Sequence, residues 1–243
     1  MLIKACLNGG TSRAEHPAVP LSAAELAAAA REARDAGAGA IHVHPRDDSG
    51  AQTLEAGYVL RAVAAIRAAT GLPVGVTTGI WTVDGDVGHR LALVEAWTGP
   101  DRPDFASVNM NEPGTDALAA LLASLGIPVE AGVWTAADAR LLAASTFADR
   151  ILRVLLEPVD RSPGDAVATA LEASAELTGL GIAAPQVHHG YGLATWDVIK
   201  AAAARGFGVR VGLEDTTVLP DGTPAAGNGE LVAAAVRLIH PAT

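Results

Sequence analysis

Eight short apolar segments alternate with eight longer segments of helical periodicity along almost the whole chain. The apolar segments are hydrophobic throughout rather than at every second residue, which is typical of strands buried on both faces of a parallel sheet. Strict alternation of strands and helices indicates such a sheet covered by helices. The predicted strands are 2–7, 40–44, 73–77, 105–109, 128–133, 151–156, 186–189 and 209–213. The predicted helices are 22–36, 54–69, 86–97, 115–125, 136–144, 164–178, 194–205 and 228–239.

The number of strand–helix pairs distinguishes two α/β architectures. Eight pairs are what a closed (β/α)8 barrel requires, and 243 residues is a usual length for one. The alternative is a doubly wound open sheet, whose first turn carries the glycine pattern G-x-G-x-x-G. The first predicted turn reads Asn8-Gly9-Gly10-Thr11 and lacks that pattern. The sequence therefore predicts a single (β/α)8 TIM barrel domain over residues 1–243.

Charge and cysteine content argue against several classes of protein. The formal net charge is -10 and Lys and Arg form no cluster, so we expect neither nucleic acid nor an anionic membrane as a partner. Cys6 is the only cysteine, which excludes an intramolecular disulfide and is typical of a reducing compartment. No apolar run approaches the ~18 residues of a membrane span, and the first residues do not read as a signal peptide. These features predict a soluble, cytoplasmic protein.

Two histidines, His42 and His44, stand at the end of the second predicted strand. Side chains two apart on a strand point to the same face, so both imidazoles are directed towards one point. Neutral imidazole is a preferred ligand of zinc and of neighbouring transition metals. The spacing therefore predicts two ligands of a metal site, and a third ligand must come from elsewhere in the fold.

Other polar residues lie at or near the ends of the predicted strands, where barrel enzymes carry their active sites. The last strand of a closed barrel pairs with the first and lies near the second, so Glu214 can face His42 and His44. Two histidines and one carboxylate leave coordination positions open for substrate or water. The remaining polar residues of this group are Asn8, Thr77, Thr78, Ser107, Asn109, Glu130, Glu157, His188, His189, Arg210 and Asp215.

Four of these residues admit two interpretations. Arg210 lies in an apolar strand, and a buried guanidinium needs either an anionic side chain or an anionic substrate. Glu130 poses the same question with the opposite sign, and a structural ion pair and a substrate contact fit the sequence equally well. His188 and His189 are adjacent, so only one of them can face the site.

Five strings of the chain resemble the β-keto acid cleavage enzymes, in order and with matching spacing over nearly the whole length. Members of that family are zinc-dependent (β/α)8 enzymes, and the founding member cleaves 3-keto-5-aminohexanoate. The strings are IHVHPRD (41–47), TTG (77–79), ASVN (106–109), VRVGLED (209–215) and NGELV (228–232).

The resemblance implies that a β-keto acid and acetyl-CoA exchange a two-carbon unit, giving acetoacetate and a new acyl-CoA. It implies that His42, His44 and Glu214 bind Zn2+ or another divalent transition metal. It also implies that Asp215 is the base and that Arg210 pairs with Asp215 or with the substrate. Relatives are usually oligomers, so we expect a homo-oligomer, either a tetramer or a dimer. The candidates for substrate binding are Thr77, Thr78, Ser107, Asn109 and Glu130.

The chain departs from the family pattern at one substrate-binding position. In the founding enzyme, glutamates just after strand one and on strand five help to hold the ammonium group of the substrate. The first of these positions matches Gly10 here, and the second matches Glu130. A buried ammonium that lacks one of two carboxylates loses about a few kcal/mol of pairing. We therefore expect a substrate other than 3-keto-5-aminohexanoate.

Two other functions are compatible with the same metal-binding barrel. The first is a lyase or hydrolase that cleaves its substrate by retro-Claisen or aldol-type chemistry without CoA, because the same Lewis acid serves both reactions. The second is a non-catalytic barrel that only binds a metal or a small molecule. Arg210 and Asp215 argue against the second, since a storage site needs neither of them.

Overall fold

The computed structural model describes residues 1–159 and 162–240, and within them eight parallel strands form a closed barrel. Each strand pairs with the next along the chain, and β8 pairs with β1 to close the barrel, with Lys4 opposite Arg210. The strands are β1 Ile3–Cys6, β2 Ala40–Val43, β3 Val74–Val76, β4 Phe105–Asn109, β5 Val129–Val133, β6 Arg153–Leu156, β7 Gln186–His188 and β8 Gly208–Val211.

A helix follows each strand and covers the outside of the barrel. Ser22 and Thr135 begin two of these helices with capping boxes, in which the side-chain hydroxyl accepts from the third helical N–H and an acidic side chain accepts in return. Short 3-10 turns lie at Ile80–Val83, Ala148–Arg150 and Gly192–Ala194. The α-helices are α1 Ala23–Asp35, α2 Ala56–Thr70, α3 Val87–Glu95, α4 Thr115–Ser124, α5 Ala136–Ala144, α6 Pro163–Gly179, α7 Thr195–Ala203 and α8 Asn228–Ile239.

The helices pack on the barrel through small and branched apolar side chains. On α1, for example, Leu26, Ala30 and Ala33 are buried at the helical spacing that places them on one face. Strand residues are buried on both sides, which accounts for their continuous hydrophobicity. None of the helices in the described part of the chain is both long and apolar enough to cross a membrane.

A buried group of charges lies inside the barrel, on β1, β5 and β6. Glu130 contacts the Lys4 ammonium with one oxygen, and its other oxygen accepts from Arg153 Nε at 2.5 Å. The side chains of Lys4 and Glu130 are fully buried. Burial alone would raise the pKa of Glu130, but the charges of Lys4 and Arg153 outweigh it and lower this pKa to about 2. Glu130 is therefore held as a carboxylate by two cations of the chain itself.

The closed eight-stranded barrel predicted from the sequence is confirmed. The structure shortens several predicted strands, and the difference matters for function at three of them. His44 and His189 each lie one residue beyond their strand, and β8 ends at Val211 rather than at 213. The chain leaves the ladder at these points because the segments turn outwards into the loops above the barrel. The functional side chains that follow thus sit on loops, where their orientation no longer obeys strand alternation.

Candidate metal centre

A cavity of about 310 Å³ opens at the carboxyl ends of the strands. All eight strands, or the loops that follow them, contribute to its wall, so residues distant in sequence meet there. This is the face of a (β/α)8 barrel on which active sites are found. The lining residues are Gly10, His42, His44, Gln52, Thr77, Trp81, Ser107, Asn109, Trp134, Leu155, Glu157, Val159, Tyr191, Arg210 and Glu214.

His42, His44 and Glu214 converge at one side of this cavity. His44 Nε2 lies 3.4 Å from Glu214 Oε1, and His42 Nε2 lies 4.0 Å from Glu214 Oε2. One ligand atom from each residue lies within 4.8 Å of the other two, a spacing that fits a common metal ion. His42 Nδ1 and Glu214 Oε2 are buried and have no hydrogen-bond partner in the described chain. Unpartnered buried polar atoms are costly, and a cation between these three residues would satisfy the carboxylate oxygen.

The orientation of His44 is fixed by its neighbours. Its backbone N–H donates to Asn8 Oδ1 at 2.9 Å, and its ring Nδ1 donates to Gln52 Oε1 at 2.6 Å. Trp81 Nε1 donates to the same oxygen at 3.2 Å and its ring stacks against the imidazole. With Nδ1 engaged by Gln52, Nε2 is the ring nitrogen that faces Glu214. A hydrogen bond of this kind on the far nitrogen is how metal-binding histidines are oriented.

Two glycines and one asparagine place Glu214. A Cβ on Gly9, which has φ +49°, would lie 2.1 Å from Glu214 Cγ, and a Cβ on Gly212 would lie 1.9 Å from the Cys6 carbonyl oxygen. Asn228, the first residue of α8, accepts from Leu213 N–H and donates to the Leu7 carbonyl, both at 2.9 Å. These contacts tie the turn after β8 to the end of β1, so the carboxylate is delivered beside the histidines of β2.

Burial and charge hold His42 and Glu214 in the protonation states that metal ligands require. Burial lowers the pKa of His42 well below its ordinary value, so the imidazole is neutral. Burial would raise the pKa of Glu214, but the charge of Arg210 above all outweighs this effect and lowers the pKa well below its ordinary value. Metal ligands must be neutral imidazole and ionised carboxylate. The three side chains therefore form a site suited to a divalent metal ion.

Arg210 links Glu214 to Asp215. Its Nη2 lies 2.5 Å from Glu214 Oε1 and 2.6 Å from Asp215 Oδ1, and its Nε donates to Asp215 at 3.1 Å. Residues Gly212 to Thr216 form a tight turn, since the N–H groups of Asp215 and Thr216 both donate to the Gly212 carbonyl. The turn brings both carboxylates to one guanidinium. Arg210 and Glu214 line the cavity, whereas the fully buried Asp215 side chain lies in contact with Arg210 and outside the lining.

The structure separates the predicted substrate-binding residues into two groups. Thr77, Ser107 and Asn109 line the cavity as expected. Thr78 does not line it, and its hydroxyl donates to the Ser107 carbonyl at 2.5 Å. Glu130 also lies outside the lining, since it is deeper in the barrel and is bound by Lys4 and Arg153.

Glu157 is a cavity residue that the choice of site residues from the sequence omitted. It follows β6, and its Oε1 accepts from Trp134 Nε1 at 2.7 Å. A Cβ on Gly132 would lie 2.5 Å from Asn109 Oδ1 and 2.7 Å from Glu157 Oε1, so this glycine lets the two polar groups approach across β5. The position of Glu157 directly after a predicted strand was the signal in the sequence that could have identified it.

The two adjacent histidines after β7 have different environments. His189 is fully buried and its ring lies between Asp215 and Glu157, at 3.2 Å and 3.3 Å. His188 points the other way and stacks on Phe207 at 4.7 Å between ring centroids. Burial lowers the pKa of His188 to about 4, so it is a neutral packing residue. His189 is thus the histidine of this pair that faces the site.

Comparison with known proteins identifies relatives over most of the chain. The family model described as beta-keto acid cleavage enzyme matches residues 1–155 and 163–242. The chain is 27% identical over 256 residues to the 3-keto-5-aminohexanoate cleavage enzyme of Fusobacterium nucleatum, a match that covers 98% of this chain and 90% of the relative.

Solved structures show the same fold at lower sequence identity. The apo structure of ObcA superposes with a TM-score of 0.72 at 19% identity, covering 89% of this chain and 61% of that one. A ternary complex of ObcA with a C4-CoA adduct and oxalate gives 0.69 at 19% identity, covering 89% and 62%. The 3-dehydroquinate dehydratase of Aquifex aeolicus gives 0.60 at 15% identity, covering 98% and 97%. The chain therefore spans about three fifths of the length of ObcA.

Proposed function

Because the chain belongs to the β-keto acid cleavage enzyme family, we propose that it exchanges a two-carbon unit between a β-keto acid and acetyl-CoA. The products would be acetoacetate and a new acyl-CoA. One observation carries the proposal: His42, His44 and Glu214 converge beside a buried guanidinium in a cavity at the catalytic face of the barrel. ObcA, which shares the fold, is described in complexes with oxaloacetate and with a C4-CoA adduct.

The three converging side chains would hold the metal, and we propose zinc on the basis of their two nitrogens and one oxygen. When bound, the ion supplies Lewis acidity, which stabilises negative charge on a ketone oxygen. The unpartnered Oε2 of Glu214 and the neutral His42 fit this role. His44 is directed by Gln52, whose amide oxygen also accepts from Trp81.

Arg210 supplies a permanent positive charge in the cavity wall. Burial opposes that charge, but Asp215 and Glu214 outweigh it and raise the pKa of Arg210 well above its ordinary value. A guanidinium presents several donors in one plane, which suits an incoming carboxylate. Nη2 and Nε are engaged by Asp215 and Glu214, whereas Nη1 has the Glu157 carboxylate no nearer than 3.8 Å. We therefore propose that Nη1 faces the acidic end of the substrate.

Exchange requires the carbon between the ketone and the carboxylate to lose a proton, and we propose Asp215 as the base. Its carboxylate contacts Arg210, which lines the cavity, and it is not one of the three proposed metal ligands, His42, His44 and Glu214. General acid–base catalysis of this kind is worth about 10²–10⁴ in rate. Thr77, Ser107 and Asn109 would bind the rest of the keto acid.

The substrate is proposed to be a keto acid other than 3-keto-5-aminohexanoate. Gly10 lines the cavity and offers no carboxylate, and both oxygens of Glu130 are taken by Lys4 and Arg153 outside the cavity. An ammonium group would therefore lack both of the glutamates expected at these positions. Glu157 is in the wall, but Trp134 and His189 already contact its two oxygens.

A single-domain organisation, a cytoplasmic location and a homo-oligomeric state stay predictions.

The test combines metal analysis with an exchange assay. Purified protein loaded with zinc is expected to bind one equivalent and to form new acyl-CoA only when acetyl-CoA and a β-keto acid are both present. His42→Ala should lose metal and exchange together, whereas His89→Ala, which changes an exposed histidine on α3, should lose neither. Product formed without any CoA compound would instead indicate a CoA-independent lyase or hydrolase. Bound metal without turnover of a broad panel of keto acids would also contradict the proposal.

A further inference from the structure

His189 connects the buried Asp215 to the wall of the cavity. Its Nδ1 lies 3.2 Å from Asp215 Oδ1, and its Nε2 lies 3.3 Å from Glu157 Oε2. Nδ1 is also 3.2 Å from the carbonyl of Gly190. The His189 side chain is fully buried, as is that of Asp215, whereas the Glu157 side chain is 15% exposed. One ring thus bridges two carboxylates on different loops of the site.

The bridge defines the state of the ring. A carboxylate only accepts hydrogen bonds, so contact with one on each side requires a donor on each nitrogen, and only the imidazolium has two. Burial and the nearby Arg210 oppose the charge, but Asp215 and Glu157 outweigh them and raise the pKa of His189. The ring of Tyr191 lies 6.3 Å from the His189 ring, between centroids. The charged form is the one that fits its surroundings.

Asp215 needs a second partner because Arg210 is shared. Arg210 Nη2 contacts both Glu214 and Asp215, so movement of the guanidinium towards Glu214 would release Asp215. His189 approaches Asp215 from a separate strand end and contacts the same Oδ1. Glu157, in turn, is held on its other oxygen by Trp134 Nε1. The ring is therefore anchored at its far side by a residue of the cavity wall.

We propose that His189 is a positioning residue, which holds the Asp215 carboxylate against Arg210 and braces it on Glu157. The proposal rests on the proposed function, because it assumes that Asp215 is the base. It adds a residue that the metal-binding trio and the Arg210–Asp215 pair do not include. Misplacement of a reacting group by about 1 Å can cost on the order of 10²-fold in rate. Loss of the contact between His189 and Asp215 is thus expected to appear in kcat.

Two substitutions separate the two sides of the ring. Asparagine places an amide near the position of Nδ1, and glutamine places one near Nε2. His189→Asn should keep a polar contact with Asp215 and retain kcat within about threefold of the wild type, whereas His189→Gln should lower kcat by roughly 10–100-fold. Both should bind metal like the wild type, since the ring does not contact His42, His44 or Glu214 in the described structure. Equal kcat values for the two variants would overturn the proposal.

A measurement without substrate separates failure of this inference from failure of the proposed function. In zinc-loaded protein labelled with 15N-histidine, the ring resonances of His189 are assigned by their loss in His189→Asn. Both nitrogens should be protonated at pH 7, and Asp215→Asn should lower the pH at which the ring titrates. A neutral His189 ring at pH 7 would overturn the bridge, whatever the enzyme catalyses. The wild-type spectrum gives this answer even if the glutamine variant does not fold.

Discussion

Removal of the Glu130 carboxylate tests whether this residue supports the barrel or binds substrate. Glu130→Gln keeps the size of the side chain but leaves the Lys4 ammonium and the Arg153 guanidinium without their shared anion. Lys4 is fully buried and Arg153 is 12% exposed, so water cannot replace the lost carboxylate at Lys4. The structure therefore predicts a loss of stability with little effect on substrate binding.

The size of the effect follows from two independent arguments. Lowering the pKa of Glu130 from 4.5 to about 2 corresponds to about 3 kcal/mol of stabilisation of the ionised form. Removing one partner of a buried pair costs about 3–5 kcal/mol, because an uncompensated charge stays behind. The folded pKa is depressed, so this stabilisation is present above pH ~4.5 and is lost as the pH falls towards 2. We expect a fall of about 3 kcal/mol in the free energy of unfolding at pH 7.

Urea unfolding at pH 7 and at successively lower pH measures this quantity. Glu176→Gln is the matched control, because it removes a partly exposed partner of the exposed Arg140 and should cost less than about 1 kcal/mol. The double variant Lys4→Met/Glu130→Gln should be more stable than Glu130→Gln, since it removes the stranded ammonium. The KM for the keto acid should stay within about twofold of the wild type, a factor worth less than ~0.5 kcal/mol. Unchanged stability together with a clear rise in KM would refute this reasoning and make Glu130 a substrate contact.

Three further substitutions probe the proposed site. Asp215→Asn should lower kcat by about 10²–10⁴ with metal content unchanged in elemental analysis, because Asp215 contacts Arg210 and His189 rather than the histidine ligands; a normal kcat would exclude it as the base. Glu214→Gln should weaken zinc affinity by more than the roughly 10–100-fold that is lost when a residue that only orients a ligand is removed. Competition with a chelator measures the affinity, and an affinity equal to that of the wild type would contradict the three-residue site. Gly10→Glu has room for its side chain, since a Cβ at this position would meet only Gln52 at 3.8 Å. The substitution should raise the ratio of kcat/KM for an ammonium-bearing keto acid to that for an uncharged one by at least about tenfold. An unchanged ratio would show that position 10 does not select the substrate.

The sequence was sufficient for the architecture because the signals for it are local. Each strand is a continuous apolar run, and each helix has its own periodicity and its own terminal residues, such as the capping boxes at Ser22 and Thr135. Eight repeats of a strand followed by a helix are the number that a closed (β/α)8 barrel requires, so the number of predicted elements indicates this fold. The convergence of His42, His44 and Glu214 was predictable for the same reason: closure brings β8 next to β1, and so brings Glu214 to the two histidines.

Tertiary structure decided how the polar side chains are paired, because these pairings join distant segments through contacts without a sequence pattern. Glu130 meets Lys4 across 126 positions, and both of its oxygens are engaged outside the cavity. The sequence alone did not show which of His188 and His189 faces the site. In the structure β7 ends at His188, and the His189 ring lies between Asp215 and Glu157. Where the chain leaves the regular ladder, alternation no longer determines direction. There the packing of loops against one another determines which charges meet.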